Sequence, residues 1–293
     1  MDLGVRPGPF AALLDYRLYY PERSPGPLPV IIFSPGAGAS PQDYGLLDSF
    51  WASHGYVVIQ PAHRDFVESH ALEVLGADEL GYDSLLSRLV RDPKLWDDRA
   101  DDVDTLIDGL PSLANGTPEL ENKIEIDDVG VGGHSFGAQT AMLAGGAALD
   151  APGWPKSARY GRSSIKAILA MSPDGVGELG LTAHSWERLD LPMMIASGGR
   201  DRGPGGQSPA WRLDGYRLSP PGDKYAVLVR SADHLSFTGP ENARGSDATF
   251  DEIEVVTLAF WDAYLKHDAA ARAFLQPRGL SDCSSGDIQL SAK

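Results

Sequence analysis

The sequence predicts an α/β fold in which a mostly parallel sheet is covered by helices on both faces. Strand-like and helix-like segments alternate along the chain, an order typical of parallel sheets with helical crossovers. Pro29–Phe33 is apolar at every position, as expected for a central strand buried on both faces. Gly133–Gly137 follows an apolar run and precedes helix-forming residues, so it predicts a sharp turn from a strand into a helix.

The part of the chain before residue 61 also predicts two further strands and a helix. Leu14–Tyr20 is expected to be an early edge strand, and Tyr56–Gln60 is a β-branched run typical of a strand. Ser40 followed by Pro41 indicates a helix start, because serine caps free N–H groups and proline is tolerated in the first turn. This helix should end at Gly55.

Residues 61–95 form a long connection containing prolines and glycines, which predicts an irregular or partly helical insertion near the functional site. Trp96–Leu110 has apolar residues at helical spacing and is expected to be a helix. The outer face of this helix is acidic, and we expect a solvated face rather than a metal site. Its acidic residues are Asp97, Asp98, Asp101, Asp102, Asp104 and Asp108.

The second half of the chain continues the alternation. Helix formers follow Gly137, and Asp251–Leu265 predicts a closing helix with one buried side. A Ser/Gly-rich tail from about residue 277 is expected to be frayed. Because no repeat or long linker interrupts these segments, we expect a single domain over residues 1–293. The other predicted strands are Ile165–Met171, Leu191–Ser197 and Lys224–Arg230.

The composition excludes several classes of protein. The net charge is −16, which argues against a nucleic acid or an anionic membrane as partner. The single cysteine, Cys283, excludes an internal disulfide and a thiolate metal cluster. The N-terminus lacks the layout of a signal peptide and no apolar run is long enough to span a membrane, so we expect a cytoplasmic protein. The alternative is a secretion signal that has been removed. The composition does not fix the oligomeric state.

Ser135 is the candidate nucleophile. It is the central residue of Gly-His-Ser-Phe-Gly, where a strand turns sharply into a helix and the glycines avoid a collision with neighbouring backbone. Such a turn exposes the serine hydroxyl at a helix N-terminus, where developing negative charge is favoured.

A serine nucleophile needs a base, and the base needs an orienting acid. His234 follows the predicted strand 224–230, and Asp201 follows the predicted strand 191–197, so we assign them as general base and orienting acid. Asp174, which follows the strand before, is the alternative acid. Asp233 is expected to point away from the serine into solvent.

An oxyanion hole requires two N–H groups aimed at the developing alkoxide. Phe136 follows the nucleophile and supplies one, and Ala37 in the Gly-rich loop 34–40 is assigned the other. No phosphate-binding motif accompanies this loop, so nucleotide binding is not expected. His63 and His70 are further candidates to line the pocket. The chemistry needs no metal and no cofactor, and no substrate-binding residue is assigned.

Four segments together resemble the α/β-hydrolase superfamily: Phe33–Ala37, Gly133–Gly137, Gly199–Asp201 and Ala232–His234. Within it, the chain over about residues 10–270 is similar to the dienelactone-hydrolase-like branch, near platelet-activating-factor acetylhydrolases and cutinases. Dienelactone hydrolases proper use a cysteine nucleophile, so Ser135 makes dienelactone a poor substrate candidate. A small residue at Ala37 and the lack of a C-terminal disulfide likewise disfavour a polyester substrate.

The resemblance implies an α/β-hydrolase fold and a serine carboxylic-ester hydrolase that acts on a small or medium ester through Ser135, His234 and Asp201. An amidase or peptidase, or a polyester hydrolase, would use the same three residues. The alternative to an enzyme is a non-catalytic binding protein. A binding role alone would not require a serine in a strained conformation.

Overall fold

A computed structural model describes residues 3–10, 14–24, 26–74, 79–151, 154, 160–240, 247–276 and 286–293 of the chain. The strands are β1 (Leu3–Phe10), β2 (Leu14–Pro21), β3 (Leu28–Ser34), β4 (Val57–Pro61), β5 (Ile124–His134), β6 (Ile165–Met171), β7 (Met193–Gly198), β8 (Lys224–Val229) and β9 (Ile288–Ala292). The helices are α1 (Gly45–Ser53), α2 (Arg64–Val74), α3 (Glu79–Leu89), α4 (Pro93–Gly116), α5 (Phe136–Ala144), α6 (Asp214–Leu218), α7 (Asp247–Leu265) and α8 (Ala269–Phe274).

In the described part of the chain the strands form one nine-stranded sheet in the order β1-β2-β4-β3-β5-β6-β7-β8-β9. The six central strands pair in parallel, in the order β4, β3, β5, β6, β7 and β8. The outer strands β1, β2 and β9 pair antiparallel. The predicted fold class, a mostly parallel sheet between helices, is therefore confirmed.

Two apolar cores lie on opposite faces of this sheet, and β3 contributes to both. Val30 and Ile32 pack in the core that contains α4 and α5, whereas Ile31 and Phe33 pack in the core that contains α1 and α7. This alternation follows from the two-residue repeat of a strand. Every residue of β3 is buried, so its apolar sequence reflects burial on both faces.

The sheet differs from the sequence-based prediction at both edges. Leu14–Pro21 is not an edge strand, because β1 pairs along its whole length on the outer side. Residues 277–285 of the predicted frayed tail lie outside the described residues, but Ile288–Ala292 forms β9 and pairs with β8. These two segments become strands because the neighbouring strand offers free backbone N–H and C=O groups.

The helices also differ from the prediction at their ends. Helix α1 begins at Gly45, later than Ser40, because the Ser40 N–H donates to Asp43 Oδ2 (2.9 Å) and closes a local turn. Helix α4 spans Pro93–Gly116, beyond Leu110, since its apolar face continues to the buried Leu113. The connection 61–95 is mostly helical, as α2, α3 and the first turn of α4.

The sequence predicts a solvated acidic face on α4, but most of its carboxylates have protein partners. Asp102 Oδ2 accepts a hydrogen bond from His63 Nδ1 (2.7 Å), and Arg162 Nε lies 2.8 Å from Asp104 Oδ1. Asp108 pairs with Arg162, and Asp98 pairs with Arg64 and Lys94. The single Tyr160 O–H lies within hydrogen-bond distance of the carboxylates of both Asp97 and Asp101. Apart from Lys94, which lies on α4 itself, these partners come from distant segments of the chain.

Asp48 on α1 is a fully buried carboxylic acid whose two oxygens have no hydrogen-bond partner among the described residues. Burial raises the pKa of Asp48 well above its usual value, and the positive charge of Arg17 on β2 offsets only part of this effect. The folded protein therefore keeps the proton on Asp48 at a pH where the unfolded chain has released it.

Replacing Asp48 by asparagine is expected to stabilise the protein increasingly as the pH rises. Below the unfolded pKa of about 3.9, the acid is neutral in both states. Above it, wild-type stability falls by up to about 1.4 kcal/mol per pH unit until the folded pKa is reached, and Asp48→Asn lacks this loss. Urea unfolding of both proteins at pH 4, 5.5 and 7 measures the difference. A stability difference that does not change with pH would contradict the buried-acid interpretation.

Candidate active site

Ser135 lies at a strained turn between β5 and α5, with φ of 56° and ψ of −119°. The two glycines of the motif are needed for close packing of backbone. A Cβ on Gly133 would lie 2.2 Å from the carbonyl oxygen of Gly137, and one on Gly137 would lie 1.9 Å from the oxygen of Ser34. The predicted strand–turn–helix context of Ser135 is thus present, and the hydroxyl faces an open pocket.

The three residues assigned from the sequence meet at this turn. His234 Nε2 lies 3.0 Å from Ser135 Oγ, and His234 Nδ1 lies 3.1 Å from Asp201 Oδ1. Since the carboxylate only accepts, His234 Nδ1 donates to Asp201 and Nε2 is left to accept the Ser135 proton. Asp201 follows β7 and His234 follows β8, so both come from the carboxyl ends of parallel strands.

Asp201 is held by more than the histidine. Arg212, from the 3₁₀ turn Pro209–Leu213, places Nε 2.7 Å from Asp201 Oδ1, and the hydroxyls of Ser172 and Ser197 donate to Oδ2. Burial alone would raise the pKa of Asp201, but the hydrogen bond and charge of His234, with Arg212 and Ser172, lower it below its usual value. Asp201 is therefore ionised.

The alternative acid, Asp174, is not within hydrogen-bond distance of the His234 imidazole. Its Oδ1 lies 3.4 Å from Arg212 Nη1, and burial raises the pKa of Asp174 above its usual value. The sequence predicts that Asp233 points into solvent, but the structure gives it a partner. Its carboxylate accepts from Ser236 N–H (3.1 Å) and caps the 3₁₀ turn His234–Phe237, which holds the histidine loop.

His134, inside the Gly-x-Ser-x-Gly motif, links three parts of the site. His134 Nε2 donates to the carbonyl oxygen of His234 (2.9 Å), so its Nδ1 accepts from Tyr44 Oη (2.8 Å). The same Tyr44 oxygen accepts from the N–H of Gly36 (3.1 Å). Burial, with the nearby His234, lowers the pKa of His134 well below its usual value, so His134 is neutral and acts as a connector.

The two N–H groups assigned to an oxyanion hole are available. Ala37 N–H has no hydrogen-bond partner in the part of the chain that the structure describes. Phe136 is the first residue of α5, so its N–H has no partner within the helix. Ala37 and Ser135 line the same open pocket, of about 520 Å³. The other lining residues are Gly36, Ala39, Asp43, Tyr44, His134, His234, Leu235 and Thr238.

The other histidines named from the sequence do not line this pocket. His63 is fully buried, where its Nε2 accepts from Ser34 Oγ (2.9 Å). His70 lies on α2 and its ring stacks on Phe66.

Within the described ranges, no group of three or more His, Cys, Asp or Glu side chains is arranged to hold a metal ion. None of the described helices combines the length and apolar character needed to cross a membrane.

Sequence reasoning missed several residues that hold this site, above all Arg212, Tyr44 and Arg99. Arg212 is 3% exposed and donates to Asp201, while Arg99 is 1% exposed and contacts the loop 34–40. No local pattern marks these arginines, because their acceptors lie far away in the sequence.

Part of the chain matches the sequence model of a known family, and this match agrees with the observed fold. Residues 17–78 match the family described as "Platelet-activating factor acetylhydrolase, isoform II". This range contains β3, the loop 34–40 and α1. No curated protein matches the chain. The match supports the resemblance drawn from the motifs. The chain therefore has the α/β-hydrolase fold and is similar, over residues 17–78, to the platelet-activating factor acetylhydrolase family.

Proposed function

We propose that this protein is a serine hydrolase of small or medium carboxylic esters. The observation that carries the proposal is the chain of contacts from Ser135 Oγ to His234 Nε2 (3.0 Å) and from His234 Nδ1 to Asp201 (3.1 Å), opening into a pocket. A strained serine that bonds to an oriented histidine is the arrangement needed for nucleophilic catalysis.

In this mechanism Ser135 Oγ attacks the ester carbonyl while His234 Nε2 takes the hydroxyl proton. Ionised Asp201 keeps the proton on Nδ1 and stabilises the imidazolium that forms. The N–H groups of Ala37 and Phe136 donate to the developing oxyanion, an effect worth about 3 kcal/mol per donor. His234 then protonates the departing alcohol, and water activated by the same histidine releases the acid from Ser135.

Two measurements test the proposal. We expect a fluorophosphonate to label Ser135, located by peptide mass spectrometry, and p-nitrophenyl esters of increasing acyl length to be hydrolysed with a preference for short or medium chains. A p-nitroanilide with the preferred acyl group separates esterase from amidase activity, and we expect it to be the poorer substrate. Absence of labelling together with absence of ester turnover would instead support a binding protein.

A further inference from the structure

The candidate oxyanion hole depends on the direction in which one backbone N–H points. Ala37 N–H belongs to the same peptide unit as the carbonyl group of Gly36, and in a planar trans peptide these two groups point in opposite directions. Whatever holds the Gly36 oxygen therefore sets the aim of the Ala37 N–H. The Gly36 oxygen accepts hydrogen bonds from Ala39 N–H (3.2 Å) and from Arg99 Nη2 (3.1 Å).

Arg99 lies on α4 with only 1% of its surface exposed, and its guanidinium faces the back of this loop. Nη2 donates to the Gly36 oxygen, and Nη1 donates to the oxygen of Pro35 (2.8 Å). The guanidinium carbon also lies 4.4 Å from the centre of the Phe136 ring, next to the second candidate oxyanion donor. One buried cation thus contacts both segments that supply the N–H groups.

Asp65 on α2 fixes this cation in place. Its carboxylate oxygens lie 3.0 Å from Arg99 Nε and 2.7 Å from Arg99 Nη2, a two-point contact that sets the plane of the guanidinium. Asp65 Oδ2 also accepts from Gly38 N–H (2.8 Å). Burial would raise the pKa of Asp65, but Arg99 outweighs burial and lowers the pKa to about 2. The pair therefore holds the peptides on both sides of Ala37.

A second chain of hydrogen bonds supports the start of the same loop. Ser34 Oγ accepts from Arg99 Nη1 (3.4 Å) and donates to His63 Nε2 (2.9 Å), and His63 Nδ1 donates to Asp102 (2.7 Å). Burial, and then the charge of Arg99, lower the pKa of His63, so His63 is neutral and can accept from Ser34. Although this chain contains a serine, a histidine and an aspartate, Ser34 is fully buried and does not line the pocket.

We propose that Arg99, locked by Asp65, is a positioning residue that aims the Ala37 N–H at the oxyanion of the reaction. The guanidinium touches no substrate and acts through the Gly36 carbonyl that it binds. Its positive charge lies behind the peptide in a buried setting, so it also strengthens the field felt by a negative oxygen in front of that peptide. This inference rests on the proposed function, because it assumes that Ser135 generates such an oxyanion.

The test uses two variants and a control. Arg99→Lys keeps the charge but loses the two-point contact, so it should fold and show a partial effect. The double variant Arg99→Met/Asp65→Asn removes both buried charges together and keeps an acceptor for Gly38 N–H. Arg162→Met is the control, because Arg162 pairs with Asp104 and Asp108 of the same helix α4 but has no contact with the loop.

The readout that separates positioning from a structural role is affinity for a trifluoromethyl ketone carrying the preferred acyl group. This ketone adds to the serine and places a negative oxygen in the oxyanion hole. For the double variant we expect kcat to fall and the ketone inhibition constant to rise by similar factors, roughly 100-fold, with little change in KM. Arg99→Lys should show a smaller change of the same kind, and Arg162→Met should show none.

Three results would overturn the inference, and the first two are loss of activity with unchanged ketone affinity and wild-type kcat in both Arg99 variants. A change as large in Arg162→Met as in the double variant would overturn it too, because the effect would then come from a general loosening of α4. Failure of the proposed function looks different. In that case the wild-type protein itself neither reacts with a fluorophosphonate nor hydrolyses esters.

Discussion

Replacing Ser135 by alanine is expected to abolish ester hydrolysis, with a loss on the order of 10⁴-fold or more in kcat, while leaving the fold intact. The substitution removes the one oxygen that lies 3.0 Å from His234 Nε2 and that would carry the acyl group. Alanine keeps the same backbone at φ of 56°, so the strain of the turn is neither added nor relieved. Thermal unfolding of the two proteins should therefore be similar.

The matched control is Thr238→Ala, which removes another hydroxyl from the same pocket. Thr238 Oγ1 donates to the carbonyl oxygen of Leu235 (2.9 Å), whereas the Ser135 hydroxyl bonds to His234. This variant should keep most of the activity. If Ser135→Ala retained more than a tenth of the wild-type rate, another group would have to be the nucleophile.

Replacing Asp201 by asparagine is expected to lower turnover by up to about 10⁴-fold. An amide carries no charge to stabilise the imidazolium of His234, and its N–H₂ group favours the wrong imidazole tautomer. The same change leaves the buried guanidinium of Arg212 without its closest carboxylate, at 2.7 Å, so stability should fall as well. The rate must therefore be divided by the concentration of folded protein with an intact active site.

Asp174→Asn is the control for this prediction. Asp174 also contacts Arg212, at 3.4 Å, but its pKa is raised by burial and it does not bond to His234. Its loss should reduce turnover much less than the loss of Asp201. The reverse ranking would assign the orienting acid to the loop after β6 and would contradict the proposed role of Asp201.

Much of this protein could be predicted from the sequence because the relevant signals are local. Continuous apolar and β-branched runs place β3 and the strands after it, and the 3.6-residue repeat places α4 and α7. Gly133 and Gly137 mark the turn at Ser135, since only glycine fits where the backbones meet. The chain order of the loops then indicated Ser135, Asp201 and His234, and the structure brings these residues together.

The tertiary structure alone decided which distant groups surround those residues. Arg212 reaches Asp201 from a 3₁₀ turn, and Arg99 reaches the loop 34–40 from α4, in contacts that no local repeat encodes. The tertiary structure also decided which strands lie at the two edges of the sheet. There β1 and β9 pair with the free backbone groups of their neighbours. The physical reason is common to both cases. A periodic apolar pattern is determined by neighbours along the chain, whereas a buried charge or an open sheet edge is satisfied by whichever partner folding brings beside it.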